Sequence, residues 1–163
     1  MDFYRPPGYL IFGSRLRRLS EYYISELNSV YQQLGIPFDT SWFSFFYILS
    51  KTEDISLVDL SNRLQISHSS VSQMIHNLRR KKLVKSVRDK QDGRKQVVAL
   101  TKLGRKMLDD IKPVWKSIES VMSAFEAEEE SLTGFLERLS KLENALKAKP
   151  LGECILADMQ LAH

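Results

Sequence analysis

Residues 55–101 read ISLVDLSNRLQISHSSVSQMIHNLRRKKLVKSVRDKQDGRKQVVALT, and this stretch decides the fold. Ser56 opens a short helix with Asp59 three residues on, a capping-box spacing with Asp in place of Glu. Leu57, Leu60 and Leu64 then fall on one helical face. A tight turn at Gln65 and Ile66 leads to Ser67, whose hydroxyl suits the N-cap of a second helix. Val71, Ile75 and Leu78, with Met74 beside them, make the buried stripe of that helix. Leu83, Val84 and Val87 read as a strand, and Val97, Val98 and Leu100 as its partner, joined through a tip that holds the turn-forming pair Asp92-Gly93.

The other face of the second helix carries His68, Ser69, Ser70, Ser72, Gln73, His76, Asn77, Arg79 and Arg80, and no acid occurs between Ser67 and Val87. A solvated helix face ordinarily mixes both signs. Donors, amides and cations alone suit the phosphates and base edges of a DNA groove. From Ile66 to Lys102, ten Lys and Arg stand against two Asp, a local excess of eight in a chain whose net charge is +4. Charge concentrated in this way is the electrostatic footprint of a nucleic-acid site. Two readings stand for the polar face, a DNA-reading surface and plain solvation, and the adjoining charge favours the first.

The order helix, turn, helix, basic ribbon, helix resembles the MarR family of winged helix-turn-helix regulators. The resemblance is carried by Asp92-Gly93-Arg94 followed by a strand that ends in Leu100-Thr101, and it runs from about Leu10 to Leu146. It implies a mainly α fold with a small antiparallel β wing, to which Ile55 adds a short third strand. It further implies a homodimer, Arg94 entering the minor groove and Asp92 holding Arg94 in position. One departure is Lys82, where the family usually places Gly or Asn to end the recognition helix. A left-handed C-cap costs Lys more than Gly.

Outside this stretch, Leu16, Leu19, Tyr23, Leu27, Val30 and Leu34 stripe a helix from Tyr9 to Leu34, which Gly35 and Pro37 end. Asp39, Thr40 or Ser41 caps a helix from Trp42 to Ser50, and its WFSFFYIL run is apolar on nearly every side, so burial nearly all round is expected. Thr101 caps a long helix to about Phe125, with a kink expected at Pro113. A last helix spans 129–148, and the sequence assigns no role to the tail, 149–163. We therefore expect one structural domain: a helical dimerisation region at 1–35 and 102–148, and a winged helix-turn-helix at 36–101. The terminal helices are too apolar for a lone compact domain, so they pack on each other or on a second copy. A two-fold dimer would set two recognition helices roughly 34 Å apart on a near-palindromic operator.

The expected DNA contacts are Ser67, His68, Ser69, Ser70, Ser72, Gln73, His76, Asn77, Arg79, Arg88, Lys90, Arg94 and Lys95. A pocket for a small aromatic or anionic effector, as the resemblance implies, would draw on Arg15, Tyr22, Trp42, Phe46 and Trp115. The competing reading of these aromatics is core packing. His68 and His76, eight apart, lack metal-ligand spacing, so no metal or other cofactor is expected. Cys154 is the one cysteine, flanked by acids rather than the cations that activate a thiol, so an inert thiol is favoured over a redox sensor.

The 163 residues, 43% hydrophobic and 27% charged, fit a globular domain, with no apolar run of membrane-span length and no secretory signal. A cytoplasmic location follows as an expectation. No phosphate loop, metal cluster or nucleophile–base pair points to an enzyme. The runner-up function is a winged-helix module that binds protein.

Overall fold

The computed structural model describes residues 8–88 and 96–161. The fold is that of a winged helix-turn-helix: mainly helical, with one small antiparallel sheet. A single 3-10 turn at Gly8–Ile11 leads into α1 (Phe12–Gln33). Gly35, at φ +67°, closes α1 with its N–H on the Gln32 carbonyl at 3.0 Å, while the Ile36 N–H reaches the Tyr31 carbonyl at 2.9 Å. Those two bonds form the left-handed cap expected of glycine at this place. Asp39 accepts the Ser41 N–H at 2.8 Å and starts a 3-10 turn, Thr40–Trp42, before α2 (Phe43–Lys51). The Asn28 side-chain oxygen of α1 accepts both the N–H and the hydroxyl of Thr40, each at 2.8 Å, and so ties the lead-in of α2 to α1.

The head follows: β1 (Ile55–Ser56), α3 (Leu57–Leu64), α4 (His68–Arg80), β2 (Val84–Arg88) and β3 (Gln96–Leu100). The sheet order is β1-β3-β2, with Ile55 opposite Val98 and Val84 opposite Leu100. Val84, Val97, Val98, Ala99 and Leu100 are buried beneath α3 and α4, whose Leu60, Val71 and Leu78 are fully enclosed. The Ser56 hydroxyl accepts the Asp59 N–H at 3.0 Å, as the capping spacing predicts.

Burial of α2 differs from the sequence expectation. Phe45, Phe46 and Leu49 are buried, but Phe43 and Tyr47 are 40% and 48% exposed. Only one side of α2 packs against the aromatic cluster formed with Tyr31 and Phe38. On the other side Phe43 and Tyr47 stack on each other at 5.7 Å, and the Lys51 ammonium lies 5.5 Å from the Tyr47 ring centre.

The last long helix of the head's chain is α5 (Lys102–Glu128), followed by a 3-10 turn at Glu130–Leu132, α6 (Phe135–Ala148) and α7 (Leu151–Leu161). The tail left without a role is thus helical over most of its length. The chain divides into two compact units, Met1–Val114 and Trp115–His163, and the division falls within α5. Within the second unit, the Glu126 carboxylate accepts the Gly134 N–H at 2.6 Å. No helix among the described residues is long and apolar enough to cross a membrane.

The first turn of α5 meets the end of α4 closely. The Thr101 hydroxyl donates to the Lys82 carbonyl at 2.6 Å and accepts the Gly104 N–H at 3.0 Å, and the Thr101 N–H donates to the Leu83 carbonyl at 3.0 Å. A Cβ at Gly104 would collide with that Leu83 carbonyl oxygen and sit 3.1 Å from Leu100 Cδ2. Backbone blocks it there, so Gly104→Ala should cost about 3 kcal/mol in urea unfolding. Lys82 itself has φ +60°, with its N–H on the Arg79 carbonyl at 2.9 Å and the Leu83 N–H on the Leu78 carbonyl at 3.0 Å. The left-handed cap thus forms on lysine, and Lys82→Gly should raise stability by about 1 kcal/mol, read as a higher urea midpoint at unchanged slope.

Candidate nucleic-acid interface

The candidate surface is built on α4. The turn before it is held by Gln65 at φ +53° and by the Ser61 hydroxyl, which donates to the Ile66 carbonyl at 2.6 Å. Ser67 caps α4: its oxygen accepts the Ser70 N–H at 3.2 Å. The Ser67 oxygen also pairs with the Ser69 and Ser70 hydroxyls at 2.9 and 2.8 Å, so three hydroxyls gather at the positive end of the helix dipole.

Val71, Ile75 and Leu78 fix α4 to the core, which turns the opposite face outward. His68, Ser69, Ser70, Gln73, His76, Asn77, Arg79 and Arg80 are all exposed, while Ser72 is half-buried beside the anchoring stripe. Gln73, His76, Asn77 and Arg80 lie three or four residues apart, so the structure brings them onto one face. Ser67 sits at the edge of this face with its oxygen engaged in the cap, a structural task that the sequence already suggested.

Beyond α4, Lys82 and Lys85 are exposed, and Arg88 is exposed at the last described residue of β2. Between Ile66 and Arg88 there are six cations and no acid. Ion pairs among the described residues include Arg17–Glu21, Lys112–Asp109 and Lys141–Glu137, each on another helix. Lys90, Arg94 and Lys95, the expected wing contacts, together with Asp92, lie outside the described residues.

The five residues expected around an effector have different surroundings. Arg15 and Tyr22 are exposed on α1. Trp42 and Phe46 are buried in the aromatic cluster, each in edge-to-face contact with Phe38 at 5.6 and 5.3 Å. Trp115 is half-buried in the second unit. An open cleft of about 290 Å³ lies between Phe45 of α2, Leu64 of α3, Ile66 in the turn, and Ser70 and Met74 of α4. Among the described residues no group of three or more His, Cys, Asp or Glu could hold a metal, and Cys154 is exposed on α7.

Sequence reasoning did not find two positioning features. Gly104 carries no periodicity signal. The Lys81 ammonium, counted above with the DNA-facing charge, lies 5.1 Å from the centre of the Trp42 ring. Because Ser67 supplies a cap oxygen to α4, Ser67→Ala should lower stability by about 1 kcal/mol and Ser67→Asp should retain most of it, both by urea unfolding.

Residues 34–95 match the model of the MarR family. Comparison with curated proteins gives no match. Among solved structures, MepR of S. aureus in complex with DNA is similar at a TM-score of 0.64 and 21% identity, covering 80% of this chain and 97% of that one. A MarR/EmrR family transcriptional regulator from Acinetobacter sp. ADP1 is similar at 0.65 and 21%, covering 83% and 94%. A mutant of E. coli MarR complexed with operator DNA is similar at 0.61 and 19%, covering 91% and 98%. At these identities the likeness is one of fold.

Proposed function

We propose, from the match of residues 34–95 to the MarR family model, that this chain is a sequence-specific double-stranded DNA-binding transcriptional regulator. The observation that carries this reading is the outer face of α4. It is exposed, rich in amides, hydroxyls and cations, free of acid, and rigidly held from behind by Val71, Ile75 and Leu78. Gln73 and Asn77 are amides four residues apart on that face, and either suits adenine N6 and N7 in a major groove. Arg79, Arg80, Lys85 and Arg88 supply phosphate contacts. Wing residues Lys90, Arg94 and Lys95 extend the contact by the sequence reading given above. The fold is one that MepR and E. coli MarR also present to DNA.

The working form is a homodimer on a near-palindromic operator. Its support is the apolar surface a single chain leaves open. Leu19 and Tyr22 of α1 are 58% and 64% exposed, and Leu136 and Leu156 of the second unit are 71% and 62% exposed. An isologous pair would cover like faces with like and present two identical heads. Seated on an operator, such a dimer would act most simply as a repressor, by occupying DNA that polymerase needs. An effector would act by its differential affinity for two spacings of the heads.

The test is selection of bound duplexes from a random pool at two salt concentrations. A recovered near-palindrome with a steep loss of affinity in salt is the expected result. Absence of any motif, with binding lost near physiological salt, would overturn the reading and leave the protein-binding module. On the selected site, Gln73→Ala should weaken binding by about 1–3 kcal/mol and relax preference at one base pair per half-site. Arg79→Ala should weaken all duplexes alike and lower the salt slope by about one per bound protomer.

A further inference from the structure

The recognition helix ends in four consecutive cations, Arg79 to Lys82, which composition alone would assign to phosphate. The structure separates one of them. Lys81 is the C-cap residue of α4, with its N–H bonded to the Asn77 carbonyl at 3.1 Å. Lys81 is exposed, yet its ammonium lies over the Trp42 ring, 5.1 Å from the ring centre. Trp42 is only 6% exposed, in the turn that starts α2. That ring is itself fixed, because Phe38 meets it edge-on at 5.6 Å and meets Tyr31 at 4.9 Å. Two effects favour this placement. A cation over an indole face is attracted by the ring's quadrupole, most strongly for Trp. A cation at a helix C-terminus also complements the dipole.

We infer that Lys81 is a positioning residue, not a phosphate contact: it clamps the C-terminal end of the recognition helix to Trp42 and so sets the angle at which α4 presents Gln73 and Asn77. The inference rests on the DNA-binding reading proposed above. A phosphate contact and a positioning contact leave different signatures. Loss of a phosphate contact weakens specific and non-specific duplexes alike and removes about one unit of salt slope. Loss of a positioning contact leaves the ion count alone. It weakens the operator, where base edges must be met at fixed angles, more than random duplex, where charge suffices.

The experiment uses the full chain with Lys81→Met, Lys81→Arg and Trp42→Phe. Affinity is measured on the selected operator and on a scrambled duplex over a range of salt. Lys81→Met should lose two- to fivefold on the operator and little on the scrambled duplex, with the salt slope unchanged. Lys81→Arg, which keeps a cation able to lie over the ring, should restore the operator affinity. A slope that drops by about one, with equal losses on both duplexes, would overturn the inference in favour of a phosphate contact. Unchanged affinity on both duplexes would overturn it too. A second measurement stands apart from DNA. Equilibrium unfolding of the wild type, Lys81→Met, Trp42→Phe and the double variant should show non-additive losses, a coupling of about two- to fivefold in the folding constant. If the wild type bound no duplex while that coupling was present, the DNA reading would fail and the clamp would stand as a structural contact. Additive losses would remove the clamp whatever the DNA result.

Discussion

Everything in the head depends on how closely the first turn of α5 approaches the end of α4. Thr101 binds the Lys82 carbonyl through its hydroxyl and the Leu83 carbonyl through its N–H, and Gly104 leaves the room for both. The last carbonyls of a helix are otherwise short of partners. Here the residues just beyond the recognition helix are satisfied by the cap of the next helix, so neither end can form well without the other. The Arg105 guanidinium adds a third tie, donating to the Leu100 carbonyl at 2.9 Å. The end of α4, the end of β3 and the start of α5 therefore behave as one stiff piece. Stiffness of that kind is what a surface needs if its amides are to meet hydrogen-bonding groups at fixed separations.

Polar residues on the recognition helix divide their tasks according to what lies within reach. Ser67 spends its oxygen on the cap, while Gln73, His76 and Asn77 stand clear of the core. Lys81, exposed like its neighbours in sequence, holds its ammonium over the Trp42 ring. A count of cations between Ile66 and Lys102 therefore overstates how many are available to phosphate. The sign of the surface is a property of composition, whereas the number of useful charges depends on which rings and carbonyls the fold brings beside each one.

Much of the head was legible because its signals are local. The Ser56 and Ser67 caps, the leucine and valine stripes, the paired strands and the Gly35 stop each follow from spacing within a few residues, and each is present in the structure. What escaped the sequence depends on distant partners. Gly104 matters only because Leu83 is folded against it, and nothing in its neighbourhood of charged residues announces that approach. Lys82 departs from the usual glycine, yet the turn forms, because the Thr101 hydroxyl and the bonded carbonyls of Leu78 and Arg79 outweigh the cost of one left-handed lysine. Phe43 and Tyr47 of α2 stay partly exposed because an apolar run fixes how much a helix would like to bury, not how many neighbours one chain offers it. The environment of an aromatic or cationic residue likewise depends on distant partners. Trp42 and Phe46 are core, Arg15 and Tyr22 face outward, and residue type alone did not distinguish those environments.

Unburied apolar surface is not spread evenly. Between Ile55 and Leu100, among the described residues, only Val58 and Ile66 are exposed large hydrophobics, whereas α1, α6 and α7 carry many. The head has thus completed its own core, and the long helices have not. Apolar area left in water is worth roughly 25 cal/mol per Å² when covered, so the helices hold most of the free energy still available for association. On the proposed reading, association and DNA reading would draw on separate parts of the sequence. In the proposed dimer a head already seated on one half-site would hold its twin near the other, and the second contact would gain from effective concentration rather than from any new side chain. Selectivity would then come from α4 and avidity from the helices, which allows each to change in evolution without spoiling the other.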